Sequence, residues 1–372
     1  MQKHIWQGVS TLVGTIIGAG ILAIPFVVQQ AGFWTGILLL LVLGSVVTLL
    51  NLMLGEVALR TKGNHQLTGY AEKYLGAWGK RWMTLSMLVG IYGALLAYLL
   101  GVGTSLAQVF GGGSWLWSLG FFIIMASVVY LGLGAVEESE SWLTPIKILL
   151  FIIILVMALM SPHFALSKLS DFSSTKLLIP YGVILFSLIG TVAIPEVKEE
   201  TKKHWKDLKK TILIGSLIPI VVYILFIIIV LGTTGTETTP IATVGVGKLL
   251  GNVAVYLLNV FAILAMTTSF LALGLALKEM YCYDYHWNTT GAGIAALAVP
   301  FALWIFGLQN FIQVLGIAGA VAGGIDGVLI VIIHRNAKQT GKRTPEYSLR
   351  VPSIISVALI FIFVLGAIQV FL

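Results

Sequence analysis

Two short stretches of this sequence break the rules of a helix inside apolar runs. In the first run, Gly14, Gly18 and Gly20 precede Pro25; in the sixth, Gly190 precedes Pro195. Glycine weakens a helix interior, and proline removes a backbone donor. A broken helix exposes N–H groups at the start of one half and C=O groups at the end of the other. The N-terminal ends suit a carboxylate. The C-terminal ends and freed carbonyls suit a cation. Together they favour a zwitterion. The backbone candidates are Gly18, Ala19, Gly20 and Ile21 in the first run, and Phe186, Ser187, Gly190 and Thr191 in the sixth. Close helix packing at Gly14-xxx-Gly18 is the competing explanation for the first run.

Side chains at matching depth add hydroxyls and charge. Gly18 is 12 residues after Trp6, roughly 18 Å along a helix. That is near the middle of an apolar layer about 30 Å thick. Thr267, Thr268 and Ser269 reach a similar depth in the eighth run. With Gly18 and Ile21 they make a candidate Na⁺ shell, since hard cations take oxygen ligands. Bonding back to the preceding turn is their other common fate. Tyr92 and Tyr98 in the third run offer hydroxyls to a carboxylate. Lys147 either snorkels to the surface or occupies a cation site and titrates. Asp326, eight residues before His334, is expected to face the bundle interior or water and is a candidate proton carrier. Glu56 is expected at the interface.

Such depths require membrane helices. Hydrophobic residues make up 58% of the 372 positions and charged residues 10%, against about 25% charged in soluble domains. Runs of spanning length lie near 6–30, 33–55, 82–110, 115–133, 141–160, 178–197, 211–232, 251–278, 291–307, 311–333 and 353–371. The first is expected to be a retained helix, not a cleaved signal. With the N-terminus cytoplasmic and the C-terminus outside, all lysines and arginines except Lys168, Lys176 and Lys248 fall on inner segments, 22 − 3 = 19 of them. This follows the positive-inside rule and accounts for the +7 net charge without nucleic acid. Gly20–Pro25 (GILAIP) and Gly190–Pro195 (GTVAIP) match at four of six positions, 170 residues apart. The two lie in oppositely directed runs, the signature of an inverted repeat. The expected organisation is an all-α membrane protein with two five-helix repeats, residues 1–160 and 178–333, and an eleventh helix at 353–371.

Other chemistries find little support. One cysteine, Cys282, excludes an internal disulfide and a cysteine-based metal site. The six histidines are scattered without metal-ligand spacing. Asn288-Thr289-Thr290 is a glycosylation sequon on the cytoplasmic side. No Walker A pattern is present, and no nucleophile–base constellation marks an enzyme.

The stretch Gly14–Pro25 (GTIIGAGILAIP) resembles the first-helix motif of the amino acid/auxin permease superfamily. Thr268-Ser269-Phe270-Leu271, then Leu273-Gly274-Leu275, is similar to the eighth-span pattern of its bacterial aromatic and hydroxy amino acid permeases. Phe186-Ser187, Ile194-Pro195-Glu196 and Gly215–Pro219 with Tyr223 extend the likeness. The resemblance implies a leucine-transporter-type fold and import of a neutral, possibly aromatic, amino acid. It also implies symport with H⁺ or Na⁺ and rocking of spans 1, 2, 6 and 7 against 3, 4, 8 and 9. The expected partners are this substrate and the lipid bilayer, with no cofactor and no obligatory protein partner. Transport of another solute and a transporter-like nutrient sensor are the alternatives. One departure concerns the acidic residue that often follows the eighth-span motif: here Leu277-Lys278-Glu279 stands, and Asp284 comes later.

Overall fold

The computed structural model describes residues 3–131, 135–172, 176–201 and 204–369. Lys202 and Lys203 of the basic run, and the last residues of the final apolar run, lie outside them. All regular elements among the described residues are helical. In chain order they begin with α1 (Lys3–Ile16), α2 (Gly20–Ala31), α3 (Phe33–Arg60), α4 (Leu67–Phe110) and α5 (Ser114–Leu131). Next come α6 (Ala135–Leu159), α7 (Tyr181–Leu188), α8 (Ile194–Glu200), α9 (Leu208–Thr234) and α10 (Ala242–Leu250). The rest are α11 (Asn252–Glu279), α12 (Thr289–Ile305), α13 (Phe311–Ile317), α14 (Gly323–Thr340) and α15 (Ser353–Gln369). Wider π turns at Met280–Asp284 and Ala318–Ala322 continue α11 and join α13 to α14.

Among the described residues, six helical stretches are long and apolar enough to cross a membrane, and α1 with α2 makes a further one bent by 52°. Four shorter apolar helices accompany them, at Ser114–Tyr130, Pro145–Leu159, Thr289–Ile305 and Ser353–Ile368. Large apolar side chains such as Leu116, Ile124, Leu149, Phe306 and Ile354 are exposed on these elements, as expected where lipid is the solvent. Two glycines make the connections possible. Gly32 (φ 97°) turns α2 into α3, where an added Cβ would stand 3.0 Å from the Asp171 carbonyl oxygen. Gly76 (φ 71°) breaks α4, so the expected span at 82–110 is preceded by a separate helical segment, 67–75.

The core sits around the two broken helices. α1 packs on α6, α8, α9 and α11, and α2 packs on α7 and α9. Where α7 meets the π turn the approach is backbone to backbone. A Cβ on Gly319 would fall 1.9 Å from the Gly182 carbonyl oxygen, and one on Gly182 would fall 2.4 Å from that of Gly316.

Two expectations change, on Glu56 and the histidines, and one motif gains a structural role. Glu56 does not face the membrane edge: its carboxylate is fully buried in protein and accepts from Arg60, His334, Ser348 and the Leu349 amide. Three donors come from beyond α3, which no local reading supplies. Asn288 serves as the N-cap of α12, accepting from the Gly291 amide at 2.7 Å. The histidines, scattered in sequence, are not all scattered in space, for the rings of His4 and His204 stack.

Candidate functional site

The first break falls between Ile16 and Gly20. The Gly18 amide reaches back to the Ile16 carbonyl at 3.0 Å, and α2 starts with no side-chain cap. The first amides of a helix have no partner within it, so this start keeps donors that only a ligand or its surroundings can satisfy. The second break follows Leu188. Ile189 and Gly190 leave the helix, a single tight turn spans Thr191–Ala193, and α8 resumes at Ile194 with Pro195 in its first turn. Proline suits that position because its missing N–H has no helical partner there.

One residue of α9 ties the two breaks together. The Tyr223 hydroxyl stands 2.7 Å from the Ile16 carbonyl oxygen and 2.8 Å from that of Ser187. Its single proton serves both acceptors, so each helix end that loses its partner is answered by the same group. Across the break, Ser269 on α11 donates to the Gly14 carbonyl at 2.9 Å. Tyr98 and Ser269 close on Gly18, where an added Cβ would stand 2.7 Å from the tyrosine hydroxyl and 2.8 Å from the serine oxygen.

A cavity of about 50 Å³ lies beside these breaks, below the roughly 300–1,000 Å³ usual for small-molecule sites, so a substrate needs its walls to part. Its apolar wall includes Ile16, Met87, Ile91, Phe186, Ile189 and Leu273. Its polar groups are Thr15, Ser86, Tyr98, Asp326 and the Gly18 backbone. Asp326 is 6% exposed and accepts from Ser86 on α4 at 2.5 Å. The Thr191 hydroxyl interacts with the same carboxyl and makes no closer hydrogen bond of its own. No basic side chain pairs with Asp326 among the described residues. One carboxyl thus joins α4, the second break and α14 at the cavity wall.

The residues singled out from sequence divide. Gly18, Tyr98, Phe186 and Asp326 line the cavity. Ala19, Gly20, Ile21, Ser187, Gly190 and Thr191 are buried behind its wall. Gly20 packs on α7, where an added Cβ would fall 2.1 Å from Ser187 Oγ. Gly190 packs against Leu12 and Ile16 of α1. Tyr92 turns elsewhere, its hydroxyl 2.9 Å from that of Tyr281 and donating to the Ala295 carbonyl.

The hydroxyl trio divides as well. Thr268 bonds back to Ala265 at 3.0 Å and accepts from the Lys147 ammonium at 2.9 Å. Thr267 is half-buried and outside this cluster. Lys147 does not snorkel: it is 3% exposed and lines a small void with Val13 and Ile17 of the first break. Its ammonium therefore lies on the hydroxyl proposed for a Na⁺ shell. The late acid Asp284 accepts from Thr68 and from the Gly69 amide at the start of α4, a favourable place for a carboxylate.

Sequence reading missed Ser86 and the small residues Gly90, Ala94, Ala318 and Ala322 of the cavity wall. The Gly90-xxx-Ala94 and Ala318-xxx-Ala322 spacings were the available signal, since small residues four apart let helices approach. Nothing local marks Ser86, whose partner is 240 residues away.

The tryptophan/tyrosine permease family model matches residues 1–371. Among curated relatives, tyrosine-specific transport system 1 of Haemophilus influenzae is 28% identical over 89% of this chain and 88% of its own. The tryptophan-specific transport protein of the same organism is 26% identical over 92% and 89%. Glutamine transporter 2 of Aliivibrio fischeri is 26% identical over 86% of each chain. The crystal structure of MhsT in complex with L-phenylalanine superposes with a TM-score of 0.73 at 17% identity, covering 98% of this chain and 97% of that one. Mhp1, a nucleobase-cation-symport-1 family transporter, superposes with a TM-score of 0.65 at 15% identity. The fold is therefore the leucine-transporter type, and family and relatives alike are permeases, not enzymes. By its match along essentially the whole length, this multi-pass membrane chain belongs to the tryptophan/tyrosine permease family.

Proposed function

We propose that the chain imports a neutral amino acid with a large apolar side chain, aromatic in first preference, by proton-coupled symport. The observation that carries the substrate reading is the cavity at the helix breaks. It combines an apolar wall containing Phe186 with a few polar groups at Gly18, Tyr98, Ser86 and Asp326. The uncapped start of α2 supplies a partial positive charge suited to the substrate carboxylate, while the apolar wall receives the side chain. The tyrosine- and tryptophan-specific relatives support this choice. The glutamine transporter, at similar identity, supports a second reading in which the side chain is polar and uncharged.

The coupling ion is assigned from Lys147 and Asp326. A Na⁺ bound at Thr268 would share that hydroxyl with an ammonium whose nitrogen lies 2.9 Å from the oxygen, and two cations on one ligand atom repel strongly away from water. Lysine can lose its proton, and so can a protonated aspartic acid. Both stand beside the breaks, so the same rearrangement that moves substrate can change their exposure.

In this reading eleven helices cross the cytoplasmic membrane, the pairs α1–α2, α7–α8 and α13–α14 each counting once and the nine-residue α10 not crossing. Residues 1–160 and 178–333 form oppositely oriented five-helix repeats, with 353–371 as an added helix. The matched breaks support the repeat, and the 19-to-3 charge division supports a cytoplasmic N-terminus. Transport alternates by moving spans 1, 2, 6 and 7 against 3, 4, 8 and 9.

Proteoliposome counterflow across the twenty amino acids tests the substrate. Tyrosine, tryptophan or phenylalanine should exchange fastest, and a profile led by glutamine establishes the second reading. Accumulation is then measured under an inward pH gradient without Na⁺, and under a Na⁺ gradient at equal pH. Uptake driven by Na⁺ alone would sink the proton assignment.

A further inference from the structure

The inner end of α1 meets the α8–α9 connection through three side chains that the transport cavity does not use. His4 Nε2 lies 2.9 Å from Asp207 Oδ2. The imidazoles of His4 and His204 stack with centroids 4.0 Å apart and planes 11° from parallel. One potential ligand atom from each of the three residues lies within 4.8 Å of the other two. His204 and Asp207 are three residues apart across a single turn of 3₁₀ helix, Trp205–Asp207. His4 comes from some two hundred residues earlier, so the group exists only in the folded chain.

Two imidazoles and a carboxylate match zinc and the neighbouring first-row metals, whereas Mg²⁺ and Ca²⁺ prefer all-oxygen shells. A tetrahedral zinc holds imidazole nitrogens at about 2.0–2.1 Å, which places donors roughly 3.4 Å from one another. The lone pairs of the stacked imidazoles lie in near-parallel planes, so binding requires at least one ring to turn out of the stack. His204 is exposed, and His4 and Asp207 are half-buried, so a hydrated ion has access. Three protein donors leave a fourth position for water, the pattern of an exchangeable site. Lys3, Lys206, Lys209 and Lys210 surround it and oppose a dication, but all four are exposed and screened by salt.

We propose that His4, His204 and Asp207 bind a divalent transition-metal ion of the zinc type, and that the bound ion fastens the inner end of α1 to the α8–α9 connection. The two sides already touch once more, through the 2.7 Å hydrogen bond from Thr11 to Glu200. The ion would add bonds that do not exchange as quickly as a hydrogen bond. In the alternating-access reading above both sides belong to the group of spans 1, 2, 6 and 7 that moves together, so the ion fastens that group internally and does not bar its motion. Binding itself does not rest on that reading.

The test uses the full chain purified with a non-histidine tag. Isothermal titration with Zn²⁺ should show one saturable site per chain, and Mg²⁺ should show none. His4→Gln, which keeps a polar side chain facing Asp207, and His204→Ala should each weaken Zn²⁺ at least tenfold while eluting as the wild type does in gel filtration. No saturable Zn²⁺ binding by the wild type, or an unchanged isotherm in the double variant, overturns the site. Zn²⁺ should raise the melting temperature of the wild type in detergent and leave that of the double variant unchanged. Equal melting temperatures with and without bound Zn²⁺ overturn the fastening. A wild type that exchanges no amino acid refutes the transport reading instead, while the titration still decides the site.

Discussion

Lys147 and Asp326 make separable predictions because they sit at different places in the same centre. Lys147 touches Thr268 of α11 and lies beside α1. Asp326 touches Ser86 of α4 and lies on the cavity wall. Lys147→Ala should abolish accumulation driven by a pH gradient and spare counterflow, because it removes the coupling charge without touching the cavity. Asp326→Asn should reduce both, since the substituted side chain faces the substrate space. Full pH-driven accumulation by both variants would show that neither carries the proton. Sequence legibility differs between these two residues for a physical reason. A lone charge inside an apolar run announces a role whatever its neighbours are, and both residues were found that way. Their pairings were not, because Ser86–Asp326 and Lys147–Thr268 are contacts 240 and 121 residues apart in the chain. The Tyr223 hydroxyl is a related case: its motif was visible, but not its place between two carbonyls from different breaks.

The elements explain why the breaks were legible while six of the eight residues picked at them lie behind the cavity wall. A glycine permits a break, but it also permits close packing, and the chain uses both. Gly18 reaches the cavity; Gly20, two positions on, is pressed against α7. A side chain at Gly20 meets Ser187 Oγ at 2.1 Å and the Ser187 Cα at 2.8 Å, and the Cα cannot swing aside. Gly20→Ala should therefore destabilise the fold by about 1–3 kcal/mol, the usual cost of overpacking, and lower the melting temperature measured in detergent. Its effect on uptake should follow the loss of folded protein rather than a loss of affinity. Gly76→Ala is the control. Nothing lies within 4 Å of the added Cβ, but φ is 71° and ψ −163°, so the cost is conformational, about 1–3 kcal/mol. A Gly20→Ala protein as stable as the wild type, with weakened substrate binding, would return Gly20 to the ligand surface.

At the scale of the whole molecule, the proposed orientation rests on charge, and long-range contacts close the chain. The positive-inside division was legible because it is a count over loops and needs no contact. Labelling tests it directly: in a Cys282→Ser background, a cysteine at position 206 should react only from the cytoplasm and one at 176 only from outside. The closure at the inner surface was not legible. The segment between α14 and α15 lies across the end of α3, and Glu56 is its anchor. Its carboxylate accepts from Arg60 at 2.8 Å, His334 at 2.9 Å, Ser348 at 2.9 Å and the Leu349 amide at 2.7 Å. Nearby, Tyr347 donates to the Leu52 carbonyl at 2.7 Å, and the Arg343 guanidinium stacks over Trp205 at 4.2 Å. One buried carboxylate thus holds α3, α14 and the connecting segment. Removing one member of a buried charged group leaves the others without compensation, at a cost of roughly 3–5 kcal/mol. Glu56→Ala should show that full loss of stability. Glu56→Gln should lose less, because its single amide oxygen still accepts on one side, from the Leu349 amide or from Ser348. The ranking wild type, Gln, Ala in melting temperature is the expected result. A Glu56→Ala variant that melts with the wild type would mean that the segment is held by Tyr347 and Arg343, and that the carboxylate does not fix the inner face.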